Sequence, residues 1–210
     1  MNTAVSAHWE DVYRDKHEAQ TSWYRAHLDT SLRLIDALRL TPATPLVDVG
    51  GGRSTLVDDL LARGFSDLTV LDIAAPALED SRQRLADSGK QVSWIVSDVT
   101  ATEFPAARFG LWHDRAVFHF LTDADTRRRY VERAAHAVRC GGHAIIATFA
   151  ADGPERCSAL PVYRYDAAAL AAEFAPYFSP LDSAREAHIT PWGSTQPFTY
   201  VVLRRTENKN

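Results

Sequence analysis

A glycine run and four aspartates carry the first chemical signal in the sequence. The glycines lie in VDVGGGRS (47–54), directly after a short apolar run, with Asp48 two positions before Gly50. Asp72 closes LTVLD (68–72), Asp98 closes QVSWIVSD (91–98), and Asp114 lies in FGLWHDRAVF (109–118). A strand that leads through glycines into a helix builds a crevice at the carboxyl edge of a parallel sheet. Glycine belongs there because a Cβ would keep the backbone from a ligand or forbid the turn. A plain tight turn rarely needs three. Asp72 follows Gly50 by 22 positions, a spacing at which an acid can take both hydroxyls of a ribose. The same residue type also caps helices. A dinucleotide-binding reading needs GxGxxG or GxGxxA. Here Gly50 and Gly52 are followed by Thr55, and the Asp48 carboxylate disfavours a pyrophosphate. Four acids at four successive strand ends, around one glycine turn, predict a ligand that is cationic and carries a ribose.

The elements that must position these residues alternate as βα units, the pattern of a parallel sheet. Residues 1–44 read as a helical N-terminal lid within the same domain as 45–210. Trp9, Val12 and Tyr13 share helical spacing, and Asp29 or Thr30 caps a second helix carrying Leu32, Ile35 and Leu38. TPATP ends it. Strands are predicted at 46–49, 68–72, 91–98, 109–118 and 143–149. A Thr55–Asp58 capping box opens the first intervening helix, Gly64 ends it, and Pro76 suits the first turn of the next. Asp123 begins a helix through Tyr130, Ala134 and Val138. A helix over 166–174 precedes two strand-like runs, 180–190 and 196–205. No helix fits between those two, so they pair as an antiparallel hairpin.

LVDVGGGRS, LTVLDIA, WIVSDVT and CGGHAIIATF resemble the ordered motifs of the class I, seven-strand methyltransferases that use S-adenosylmethionine (SAM). The resemblance runs from about Pro45 to Arg205. It implies an α/β, Rossmann-like doubly wound sheet of five parallel strands plus the C-terminal antiparallel hairpin. It implies that Asp48, Gly50 and Gly52 line the methionine moiety and that Asp72 binds the ribose with Ile73 on the adenine. Asp98 would bond the adenine amino group beside Val99, and Asp114 would lie near the methionine part and the substrate. Ser54 stands where the family often has a third glycine. The segment HWEDVYRDKHEAQTSWYR is similar to the lid of small methyltransferases of this class, which implies that Trp23 and Tyr24 cover the cofactor. An aromatic face attracts a sulfonium cation; the alternative is that Trp9, Tyr13, Trp23 and Tyr24 staple the lid to the core.

Methyl transfer by in-line displacement, with S-adenosylhomocysteine (SAH) as product, asks the protein chiefly to align partners and exclude water. A general base is needed only where the acceptor keeps its proton at neutral pH. His119 is the candidate base or relay beside Asp114, against the reading of a packed histidine. Arg115 would hold an anionic acceptor or pair with a carboxylate. Cys157 and Tyr163 are further substrate-side candidates, and His188 borders the same mouth. The expected acceptor is a small molecule, a soft sulfur, selenium or metalloid nucleophile among them. The alternatives are a protein lysine N-methyltransferase and a SAM-binding protein without catalysis.

The bulk properties agree with an ordinary folded domain. The chain has 210 residues, 46% hydrophobic and 24% charged, with a formal charge of −4. That length suits one core. The acidic balance gives no general attraction to nucleic acid or anionic membranes. Two cysteines without CxxC spacing suggest a reducing, cytoplasmic setting. No stretch approaches the ~20 apolar residues of a membrane span, no secretory leader is recognised at the start, and no HxxxH or HExxH spacing suggests a metal site. A monomer or weak dimer is expected.

Overall fold

The computed structural model describes residues 3–15 and 21–207. Seven strands form one sheet: β1 (Leu46–Val49), β2 (Leu68–Asp72), β3 (Val92–Val96), β4 (Phe109–Arg115), β5 (Val138–Phe149), β8 (Phe178–Ile189) and β9 (Thr195–Arg205). Their order is β3-β2-β1-β4-β5-β9-β8. The first five are parallel, β9 runs antiparallel to β5, and β8 antiparallel to β9. The order reverses at β1, so the crevice between β1 and β4 is where a ligand is expected in such a sheet.

Period-two burial explains why helices cover both faces. Val47 and Val49 of β1, Trp112 of β4 and Ile146 of β5 pack with α5 (Ala124–Ala137) and α6 (Ala167–Phe174) through Tyr130, Leu170 and Phe174. Leu46 and Leu111, on the opposite face, pack with α2 (Asp29–Ala37), α3 (Leu56–Ala62) and α4 (Ala75–Leu85) through Leu32, Ile35, Leu56 and Leu78. Each such fully buried side chain contributes about 1.5–3 kcal/mol of transfer free energy. α1 (Thr3–Asp15) brings Trp9 and Tyr13 against Ala74, Ala77 and Trp23. Part of the predicted lid motif, residues 16–20, lies outside the described residues.

Local details depart from the sequence expectation for identifiable reasons. Thr55 makes no capping bond; its hydroxyl donates to the Arg25 carbonyl at 3.2 Å, and Ser54 Oγ accepts the Leu56 N–H instead. β5 starts at Val138, five residues early, because Val138 pairs with Phe109 before a register shift and His143 resumes with Leu111. Gly141, at φ 75, sits within that irregular stretch. A small antiparallel pair, β6 (Arg156–Cys157) with β7 (Leu160–Pro161), falls in a stretch read as loop. Two residues per strand leave no periodicity to detect.

Candidate active site

A cavity of about 900 Å3 opens at the carboxyl ends of the parallel strands, beneath α1 and Trp23. Gly50, Asp72, Ile73, Asp98, Val99 and Trp23, all singled out from the sequence, line it. The glycine turn cannot carry side chains. Gly50 has φ +68, and a Cβ there would lie 2.0 Å from Val117 Cγ2. Gly52 has φ +37, and its Cβ would lie 2.9 Å from both Asp72 Oδ2 and the Tyr13 hydroxyl oxygen.

Asp72 ends β2 and is 5% exposed. Its Oδ1 accepts the Ala74 N–H at 2.8 Å, closing an Asx turn just ahead of α4, while Oδ2 faces Gly52 and Tyr13. Burial pushes its pKa up to about 7, aided by the Asp48 charge and opposed by the backbone N–H bonds. The hydroxyls of a ribose would add donors to those the backbone already supplies. Asp98 closes β3's exit as a turn: its Oδ1 accepts from Thr100 N at 2.8 Å and Thr100 Oγ1 at 2.7 Å. These residues fit a nucleoside-bearing ligand such as SAM.

Other predicted residues stand apart from the cavity. Asp48 and Gly52 do not line it. Asp48 lies on the α2 face of β1, turned under the glycines, with Oδ1 2.7 Å from His113 Nδ1. Its Oδ2 lies 2.7 Å from where a Cβ on Gly51 would stand and has no hydrogen-bond partner among the described residues. Asp114 faces the α5 side, where it accepts from Val117 N at 2.8 Å, Phe118 N at 3.1 Å and the Tyr130 hydroxyl. Burial raises its pKa to about 6 against those bonds. It shapes the turn that carries Val117 and does not reach the cavity. His119 is also fully buried outside the cavity. Its Nδ1 accepts the Phe149 N–H at 3.3 Å, and burial, then Arg115, lower its pKa to about 3. Tyr24 lines a separate hollow with Arg25, His27, Asp29, Ile189 and Pro191. Tyr163 is half exposed under the Arg127 guanidinium, 4.9 Å from its ring centroid.

One side of the cavity is aromatic. Trp9 packs on Trp23 at 5.8 Å and on Phe120 at 5.1 Å, and Phe149 on Phe198 at 5.0 Å, between ring centroids. All five line the cavity, together with Cys157, Leu160, Pro161, Gln196 and Arg115. Arg115 lies 4.4 Å over Phe198 and is held by internal acceptors: Glu186 Oε1 at 3.2 Å, the Tyr200 hydroxyl at 3.1 Å and the Trp23 carbonyl at 3.3 Å. Glu186, Phe149, Phe198 and Gln196 carried no local signal. Pairing of Phe149 opposite Phe198 across β5 and β9 brings those rings and Gln196 to the cavity, and pairing of β8 with β9 sets Glu186 beside Phe198. Arg53, inside the glycine motif, holds α1 down by donating to the Tyr13 carbonyl at 2.5 Å.

Comparison with known proteins agrees with this geometry. Residues 46–142 match the family model described as a methyltransferase domain. A curated relative, the eEF1A lysine and N-terminal methyltransferase homolog of Drosophila melanogaster, is 27% identical over 133 residues, 61% of this chain and 19% of that protein. The human eEF1A lysine and N-terminal methyltransferase is 25% identical over 121 residues, 57% of this chain and 17% of that protein. The chain thus matches these relatives over about a fifth of their length. A solved structure described as the conversion of a disulfide bond into a thioacetal group during echinomycin biosynthesis superposes with TM-score 0.80 at 18% identity, covering 98% of this chain and 94% of that one. The Burkholderia thailandensis 1,6-didemethyltoxoflavin-N1-methyltransferase, with 1,6-didemethyltoxoflavin and SAH bound, superposes with TM-score 0.70 at 23% identity, covering 98% and 85%. No helix among the described residues is long and apolar enough to cross a membrane. Residues 46–142 thus match a methyltransferase domain, and the seven-strand sheet that carries them has the fold of solved methyltransferases.

Proposed function

We propose that the protein methylates a small, uncharged or anionic acceptor with a soft nucleophilic atom. SAM, when bound, supplies the activated methyl group; Asp72 and Asp98 are the residues that would hold its nucleoside end. The observation that carries the reading is the composition of the acceptor chamber. Trp9, Trp23, Phe120, Phe149 and Phe198 surround it, and the charged side chain among them is Arg115. The carboxylates on the cavity wall are elsewhere: Asp72 and Asp98 after β2 and β3, and Asp123 capping α5 through the Thr126 N–H. A lysine ammonium entering the aromatic end would meet a guanidinium rather than a carboxylate. Deprotonating such an amine needs a base, and His119, neutral with its pKa near 3 and outside the cavity, does not supply one there. His119 instead supports β5 through the Phe149 N–H. A thiolate or similar soft anion needs no base, only alignment and exclusion of water, which the aromatic walls provide.

The names of the curated relatives favour a second reading, a protein lysine methyltransferase. Incubation with methyl-labelled SAM and a total cell extract separates the two. Label in soluble or headspace products supports the small-acceptor reading. Label in a protein band overturns it. No label, with SAH binding intact, points to a SAM-binding protein without turnover.

A further inference from the structure

The face of the sheet beneath α2 is apolar except for one continuous polar seam. Asp48 Oδ1 lies 2.7 Å from His113 Nδ1, and His113 Nε2 lies 2.9 Å from Ser31 Oγ. The Ser31 hydroxyl also neighbours the Tyr200 hydroxyl, toward which it can donate. That hydroxyl donates to Glu186 Oε2 at 3.0 Å and accepts from Arg115 Nε at 3.1 Å. Arg115 reaches out of the seam and donates Nη1 to the Trp23 carbonyl. Two residues beyond Glu186 on β8, His188 donates Nε2–H to the Ser22 carbonyl at 2.5 Å. Ser31, His113 and His188 are buried to within 1% of full burial.

Such a chain is costly to bury, and apolar residues of similar volume would serve packing as well. Its two ends suggest what it is for. One end lies under the glycine turn, where a Cβ on Gly51 would come within 2.7 Å of Asp48 Oδ2. The other holds the backbone of the segment whose Trp23 indole forms a wall of the cavity. A guanidinium is a planar fork and aims its donors only when its acceptors are fixed. Glu186 and Tyr200 fix it here, and Ser31 and His113 fix Tyr200.

We propose that Arg115 and His188 are positioning residues that latch the Ser22 and Trp23 carbonyls, and that the seam from Asp48 through His113, Ser31 and Tyr200 holds Arg115 in its latching orientation. The seam makes the wall of the acceptor chamber and the support of the cofactor turn one connected structure. This assignment does not depend on which acceptor is used.

Amide hydrogen exchange of residues 21–27 in the full chain tests it, with Ser31→Ala, Tyr200→Phe and the double variant. Neither side chain touches the lid backbone. Each single variant should speed exchange in that segment by about tenfold, the scale of one lost buried hydrogen bond, while β1 and β4 stay protected. Because the two act in series, the double variant should exchange no faster than the faster single one. Unchanged exchange in the Ser31→Ala protein overturns the proposal. So does acceleration spread evenly over the sheet, or a double variant whose effects add. Arg115→Lys keeps the charge but loses the fork, and should loosen the same segment; if that variant fails to fold, the hydroxyl variants decide alone.

Discussion

Ionisation of Asp72 should control cofactor affinity near neutral pH. In the folded protein without ligand its pKa is about 7, chiefly from burial and then from Asp48, against an ordinary value of 3.8. Asp48 and the Tyr13 hydroxyl are near it, and the Arg53 guanidinium stands over the Tyr13 ring. The sign follows directly. The folded carboxyl keeps a proton that the unfolded chain releases near pH 4, so ligand-free stability falls as pH rises from about 4 to about 7. Ribose hydroxyls donate to the ionised form, so binding has the opposite slope. At pH 6 about a tenth of the carboxyl is ionised and at pH 8 about nine tenths, which makes SAH affinity about tenfold tighter at pH 8, or about 1.4 kcal/mol. Isothermal titration of SAH at pH 6, 7 and 8 reads this directly. Asp72→Asn should bind weakly and lose the slope. A wild-type affinity that is flat over this range, or an Asp72→Asn protein that keeps the slope, refutes the argument.

Three further outcomes follow from the same geometry. Gly50→Ala places a methyl on Val117 at a left-handed φ, which costs about 1–2 kcal/mol in backbone alone; its melting temperature and SAH affinity should both fall, and Val117→Ala in the same chain should restore part of each. Tyr130→Phe removes a donor from buried Asp114, and the loss of about 1–3 kcal/mol should be larger at pH 8 than at pH 5, because Asp114 ionises near pH 6 and needs the hydroxyl only when charged; thermal melts at the two pH values check the difference. His119→Ala should lower the melting temperature, since Phe149 N–H loses its acceptor, yet leave labelled-methyl turnover within a few-fold of wild type; a fall of about a hundredfold would restore His119 as the base.

Strand positions, the glycine turn and the nucleoside-side acids were legible in the sequence because each is a local requirement. A parallel strand buried on both faces must be a short apolar run, and LVDV and LTVLD are such runs. A backbone at φ +68 facing Val117 must be glycine. Asp72 and Asp98 sit where β2 and β3 end, so chain order alone carries them to the rim. Whether a strand-end acid faces the cavity is a different matter, decided by the pleat and by what is packed beside it. Asp114 points to the opposite face from Asp72, onto Tyr130, while Asp48 shares the face of Asp72 but lies further back on its strand, against His113. Neither partner is near in sequence, at 65 and 16 positions away. The acceptor chamber is wholly a product of topology. Phe149 and Phe198 meet because β9 inserts antiparallel beside β5, and Arg115 becomes an internal clamp because Glu186 arrives on β8. Local residue types determined the half of the cavity that holds Asp72 and Asp98. Long-range strand pairing decided the half that holds Phe149, Phe198 and Arg115, since only pairing fixes which side chains share a wall.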